Sequence, residues 1–236
     1  MEKNKLLERI RHRLIVSCQA RKGWAMHGPE IMAAFARAAQ EGGASALRLN
    51  GAADIHRVRQ QTELPIIGIN KIWTEDSDVY ITPTFASAEE VLREGIDIIA
   101  LDATPRSRPG GETFAEIVGR IRAGWPEVLI MGEVSTCEEG IAVSKEDVDL
   151  ISTTLSGYTP YSKKIDGPDL ELIRQLHEKI RLPIIAEGRI STPEEAGQAL
   201  AAGAHAVVVG TAITRPEVIT KKFVHYIDEQ LEAEGR

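Results

Sequence analysis

Along this chain, short runs of β-branched and aliphatic residues alternate with longer segments whose apolar positions recur every three or four residues. The first pattern is that of strands buried on both faces and the second that of helices with one apolar side; their alternation marks repeated βα units. Strands are predicted over 14–19, 46–50, 65–70, 96–102, 128–134, 150–154, 183–187 and 206–210. Helical patterns fill the gaps at 29–40, 86–93, 113–123, 169–179 and 193–201, and a last one covers 217–232. Residues 2–12 read as a short amphipathic helix, either a lid under the fold or a frayed terminus. Pro29, Pro168 and Pro193 stand near helix starts, where a missing N–H is no loss, and Gly42-Gly43, Gly95 and Gly203 stop three helices just before a strand.

Eight strands with helices between them, in 236 residues, fit an α/β fold of the closed (β/α)8 barrel type, which takes about 250 residues. The competitor is an open doubly wound sheet, which carries a GxGxxG turn after its first strand; none is found there. One barrel domain over residues 1–236 is therefore expected. Residues 74–85 (TEDSDVYITPTF) fit no simple unit and read as a long loop after the third strand, with a short extended piece.

Composition narrows the partners. Hydrophobic content of 43% and charged content of 27% are ordinary for a globular protein. A formal net charge of -7 without a long basic run argues against nucleic-acid binding, so an anionic substrate needs local positive charge inside a site. Cys18 and Cys137 lie far apart without metal spacing, and the charged N-terminal stretch has no signal-peptide core, which together point to the cytoplasm. No apolar stretch approaches the roughly 20 residues that span a bilayer.

Chemistry gathers at the predicted C-terminal strand ends, where barrel enzymes work. In order they carry Gln19, Arg48 with Asn50, Lys71, Asp102, Glu133, Thr153 with Thr154, Glu187 and Gly210-Thr211, whereas the strand bodies are Ile, Val, Leu and Ala. Residues 182–216 hold two runs ending in small residues, Gly188-Arg189 and Gly210-Thr211. In such barrels the loops after the last two strands are the usual phosphate site. Arg215 before Pro216 offers a guanidinium beside that phosphate, or is an ordinary exposed arginine at a helix start. Lys71 and Glu187 end the third and seventh strands, on opposite sides of a ring of eight, and a lysine after the apolar run PIIGIN can be held neutral by burial. The plainer readings are a surface lysine and a glutamate paired with Arg189; a one-residue slip in the strand would turn Asn70 inward instead. The six histidines form no metal-binding spacing, and there is no nucleophile elbow or P-loop.

The segments LIVSCQA, PEIMAAFARAA, PIIGINK, DSDVYITPTF, DIIALDAT, TTLSGYTPYSK, PIIAEGRISTPEEA and VVVGTAITRPEVITKKFV, in this order, closely resemble the N-acetylmannosamine-6-phosphate 2-epimerases of bacterial sialic-acid breakdown. The resemblance covers nearly the whole chain. It implies a phosphate-binding barrel that interconverts N-acetylmannosamine 6-phosphate and N-acetylglucosamine 6-phosphate without a cofactor. It also implies catalytic roles for Lys71 and Glu187, substrate contacts at Gln19, Arg48 and Tyr158, and a phosphate site of Gly188, Arg189, Gly210, Thr211 and Arg215. One departure is that Gly132-Glu133-Val134-Ser135 stands where relatives read Ala-Asp-Ile-Ser. Glu133 is then a candidate for the aspartate's substrate contact, with the methyl missing at Gly132 making room for its extra methylene. The loop 72–76 is also unusual for the family.

The implied reaction removes the C2 proton of the open-chain aldehyde and returns it on the other face. Neutral Lys71 is the base, Glu187 assists ring opening or handles the oxygen-borne proton, and Glu133 is a helper. One base with a turning intermediate and two bases on opposite faces both remain open. The alternatives are a Schiff-base aldolase working through Lys71 and a non-catalytic phosphosugar-binding barrel. The last helix carries an apolar stripe of Val218, Ile219, Phe223, Val224, Ile227 and Leu231, which either packs on the barrel or, as the resemblance suggests, makes a homodimer contact.

Overall fold

Eight strands close into one parallel barrel in the computed structural model, which describes residues 2–234. They are β1 (Leu14–Cys18), β2 (Ala46–Asn50), β3 (Ile66–Ile69), β4 (Ile98–Asp102), β5 (Leu129–Glu133), β6 (Leu150–Ser152), β7 (Ile184–Glu187) and β8 (Ala206–Val209). Closure comes from β1 pairing with β8, Leu14 opposite Val207. The helices are α1 (Lys3–Ile10), α2 (Pro29–Glu41), α3 (Ala52–Arg59), α4 (Phe85–Leu92), α5 (Phe114–Gly124) and α6 (Cys137–Val143). They continue with α7 (Leu170–Lys179), α8 (Pro193–Ala201), the single turn α9 (Thr211–Thr214) and α10 (Pro216–Ala233). Among the described residues no helix is long and apolar enough to cross a membrane.

The pleat explains how an oily barrel acquires a polar mouth. Alternate residues of a strand face opposite ways, so each strand has an inner and an outer series. On β3 the inner series is Ile67 and Ile69, and on β5 it is Leu129 and Met131; these side chains meet in the barrel interior. The outer series, Leu47 and Leu49 on β2 for example, packs under the helices. Continued by two residues, the inner series of β3 ends in Lys71 and that of β5 in Glu133. Each fully buried Ile or Leu contributes about 1.5–3 kcal/mol, so apolar layers below stabilise the fold while the top layer is left for chemistry.

Helix α1 closes the other end. Leu6 and Ile10 are 2% and 0% exposed among the interior side chains, and the carbonyl of Leu7 meets His205 Nε2 at 2.9 Å. Of the two readings for this segment, the lid is the one found. Helix α10 is different: none of its residues is buried, and Phe223, Val224 and Ile227 are 68%, 52% and 54% exposed. Val218 and Ile219 at its start are half-buried, and the exposed part of its apolar stripe begins at Phe223.

Besides the single turn α9, the helices α3 and α6 fell outside the sequence reading. In α3 only Ile55 and Val58 are buried, too few for a periodic signal. In α6 a signal was present: Thr136 accepts from Glu139 N while Glu139 Oε2 accepts from Thr136 N, the reciprocal capping box that also starts α5 and α8.

Candidate active site

A cavity of about 760 Å³ opens at the C-terminal ends of the strands. Gln19, Arg48, Lys71, Tyr158 and Glu187 line it, as do Gly188, Arg189, Gly210, Thr211 and Arg215. The strand parity is settled at β3. Lys71 lies on the face of Ile67 and Ile69 and borders the cavity, while Asn70 turns outward, its Nδ2 donating to Ser87 O at 3.1 Å and to Glu90 Oε2 at 2.7 Å. Lys71 N donates to Asn50 Oδ1 at 2.8 Å. Lys71 also pairs with Ile81, and Thr74 with Ser77, so the segment after β3 is a small antiparallel hairpin.

The floor is an ion triad. Arg48, 1% exposed, reaches across the barrel, with Nη1 donating to Glu187 Oε1 at 2.7 Å and Nη2 to Glu133 Oε1. Thr154 Oγ1 donates to Glu133 Oε1 at 3.1 Å and lies 3.3 Å from Glu187 Oε2. Burial opposes the charge on Arg48, but Glu133 and Glu187 outweigh it and raise its pKa. Burial, helped by Arg48, depresses Lys71 to about 8, with Glu187 and Glu133 pulling the other way. Burial also pushes Glu187 up to about 7: Arg48 and Lys71 favour its charge, and Glu133 repels it. Burial thus brings two groups on opposite walls toward neutrality from opposite directions.

Several expectations need correction here. Glu133 does not line the cavity. It is 0% exposed and lies beneath it, reaching the site through Arg48. Gly132 does not make room for it: a Cβ there would come within 2.6 Å of Val143 Cγ1 on α6, on the opposite face of the strand. Glu187 is paired with Arg48 and not with Arg189. Asp102 is buried and bound by Arg106 at 2.6 Å, so this strand-end carboxylate braces a loop outside the cavity lining.

The β7 and β8 loops form one end of the cavity. Gly188 and Arg189 have φ of 117° and 56°, two successive residues of positive φ that turn the backbone sharply at the cavity edge. The Arg189 side chain is a brace, its Nε donating to Gly167 O at 2.8 Å and its Nη1 to Ser156 O. Gly157 makes that brace fit: its φ is 80°, and a Cβ would stand 2.5 Å from Arg189 Nη1. Tyr158, 57% exposed, has its ring 5.5 Å from the same guanidinium. Arg215 is paired with Glu217 at 2.8 Å and lies over Trp24. Sequence reasoning missed the rim residues Arg21, Trp24, Trp73 and Tyr80; tryptophans inside predicted loops were the available signal.

A family profile described as "Putative N-acetylmannosamine-6-phosphate epimerase" matches residues 32–229. A protein of Caldanaerobacter subterraneus subsp. tengcongensis is 51% identical over 225 residues, covering 95% of each chain. One of Clostridioides difficile is 46% identical over 223 residues, covering 94% of this chain and 99% of its own. Both bear the name "Putative N-acetylmannosamine-6-phosphate 2-epimerase". The solved N-acetylmannosamine-6-phosphate 2-epimerase of Clostridium perfringens superposes with a TM-score of 0.91 at 47% identity, covering 94% of this chain and 96% of that one.

Proposed function

This chain belongs to the N-acetylmannosamine-6-phosphate epimerase family, and on that premise we propose how its own residues carry the reaction. The protein is an epimerase acting at C2 of a phosphorylated amino sugar, interconverting N-acetylmannosamine 6-phosphate and N-acetylglucosamine 6-phosphate. The observation that carries the assignment is the meeting of Lys71 and Glu187 on opposite walls of one cavity, above the Arg48 triad and beside the β7–β8 loops.

The phosphate sits against the Gly188-Arg189 and Gly210-Thr211 backbone, with Arg215 as its cation, and fixes the far end of the sugar. Glu187, in its protonated form, donates to the ring oxygen and, as the carboxylate so formed, takes the proton of the anomeric hydroxyl, so that the ring opens to the aldehyde. Neutral Lys71 then takes the proton from C2, which the neighbouring aldehyde makes acidic, and C2 is reprotonated on its other face, by the lysine ammonium once the intermediate has turned or by Glu187 from the opposite wall. With its pKa near 8, roughly one lysine in ten is neutral at pH 7, against about one in three thousand at an ordinary lysine pKa of 10.5. Arg48 stays charged and stabilises the negative charge that develops on the C1 oxygen. Glu133 holds Arg48 in place from below, and Gln19 and Tyr158 contact the sugar from the rim.

The exposed apolar face of α10 supports a homodimer built on this helix. Two free, buried cysteines support a reducing, cytoplasmic setting. The test is turnover of N-acetylmannosamine 6-phosphate in deuterated water, followed by NMR. Product carrying deuterium almost fully at C2 supports two bases, one on each face, whereas substantial return of the original proton supports Lys71 alone. No product from the wild-type protein refutes the assignment.

A further inference from the structure

One wall of the mouth is a continuous stack that neither the phosphate loops nor the Lys71–Glu187 pair explains. The Arg215 guanidinium carbon lies 4.0 Å from the centroid of the Trp24 ring. Arg21 faces the same ring at 5.4 Å and also covers Trp73 at 4.6 Å. Trp73 stacks in turn on Tyr80, with centroids 5.5 Å apart and planes 12° apart. Guanidinium–ring contacts of this kind are attractive through the ring quadrupole, and they strengthen where solvent is partly excluded.

All five side chains border the cavity, yet they come from three loops: after β1, after β3 and at the start of α10. The stack begins at the cation beside the β7–β8 loops. It ends on the hairpin whose first residue is Lys71, where Ile72 N donates to Tyr80 O at 2.9 Å and Lys71 pairs with Ile81. The loop carrying Arg21 and Trp24 is bounded by Gly28 and interrupted by Gly23, with φ of 134° and 90°. A Cβ at either glycine would meet nothing, so backbone conformation and not packing requires them.

We propose that Arg21 is a positioning residue for the chemistry at Lys71, and that Trp24 is the ring through which phosphate held by Arg215 reaches it. The inference rests on the proposed seat of the phosphate. An anion that orders Arg215 orders the ring it lies on. That ring holds Arg21, and Arg21 holds Trp73 and with it the Lys71 hairpin. Binding energy gained at the phosphate is thereby used to align the base at C2, four carbon–carbon bonds from C6 along the sugar. The Arg21 charge also faces Lys71 and adds to what keeps its amine neutral.

The test reads the coupling without turnover. In a Trp24→Phe/Trp125→Phe protein, which keeps an aromatic ring between Arg215 and Arg21, Trp73 is the remaining tryptophan of the three. Inorganic phosphate is titrated while Trp73 fluorescence is followed, and binding is measured in parallel by calorimetry. Trp73 emission should respond with the calorimetric Kd. Adding Arg21→Gln should remove at least nine-tenths of that response while changing the Kd less than threefold. In kinetics with the phosphorylated sugar, Arg21→Gln and Trp24→Ala should each lower kcat about tenfold with little change in KM. The double variant should be no worse than the poorer single one, and Arg21→Lys should recover most of the rate. A Trp73 response that survives Arg21→Gln, or single effects that multiply in the double variant, overturns the coupling. No calorimetric phosphate binding at all overturns the phosphate seat itself, independently of whether the wild-type protein epimerises its sugar.

Discussion

Replacing Arg48 with methionine removes the one cation that two inward carboxylates share. Arg48 and Glu133 are 1% and 0% exposed and Glu187 is 13% exposed, so water can do little to compensate. Breaking a buried pair by deleting one partner costs about 3–5 kcal/mol, which for a chain of this size lowers Tm by roughly 6–20 °C. The loss comes from the stranded carboxylates and not from a missing attraction. A triple variant, Arg48→Met with Glu133→Leu and Glu187→Gln, leaves no charge in the triad and should return to within about 1–2 kcal/mol of the wild type. Activity should be absent from both. In the single variant the remaining carboxylates also raise Lys71, making the neutral amine scarcer at pH 7. Urea melts at pH 7.5 beside a turnover assay decide the matter. A single variant within about 1 kcal/mol of the wild type, or a triple variant no more stable than the single, refutes the reasoning that this triad is retained for catalysis at a cost in stability.

Further outcomes follow from the same geometry. On the proposed roles activity needs Lys71 neutral and Glu187 protonated, so kcat/KM should rise with pH as Lys71, near 8, loses its proton and fall as Glu187, near 7, loses its own. The overlap gives a bell centred at about pH 7.5, whose limbs belong to the coupled pair. Glu187→Gln should abolish the alkaline limb and, by removing a carboxylate that raises Lys71, move the remaining limb to lower pH; a profile with both limbs intact contradicts this. Gly157→Ala puts a Cβ at a φ of 80° against the Arg189 guanidinium and should cost about 1–3 kcal/mol in thermal melts, with KM rising as the β6–β7 brace loosens. Phe223→Glu with Ile227→Glu on α10 should convert the proposed dimer to single chains in sedimentation; single chains for the wild type, or an unchanged dimer in the variant, contradict it.

The barrel was legible because its strands are short apolar runs separated by capped helices, and all eight predicted strands are present within a residue or two of their bounds. The inward series of Ile67, Ile69 and Lys71 shows why the mouth was legible too: a period of two, once started in the right phase, places the polar strand end. That logic failed where side chains reach past their own strand. Nothing local to Arg48 says that it crosses the barrel to Glu133 and Glu187, and nothing local to Asp102 says that Arg106 takes it out of the site. Gly132 shows the same limit, since its function depends on Val143, which belongs to a helix the periodicity did not reveal. The rim stack was hidden for a related reason, because Arg21, Trp24 and Trp73 lie in loops without period and meet only once the barrel is closed.

The central claim is that Lys71 moves the proton at C2. Wild type and Lys71→Ala should be incubated with N-acetylmannosamine 6-phosphate in deuterated water and followed by NMR. The account predicts N-acetylglucosamine 6-phosphate from the wild type, with solvent deuterium entering at C2. For the variant it predicts a folded protein, since Lys71 is only half-buried at the cavity wall, whose rate falls by roughly 10²–10⁴ with exchange at C2 falling in step. Epimerisation or C2 exchange at the wild-type rate in Lys71→Ala would contradict it.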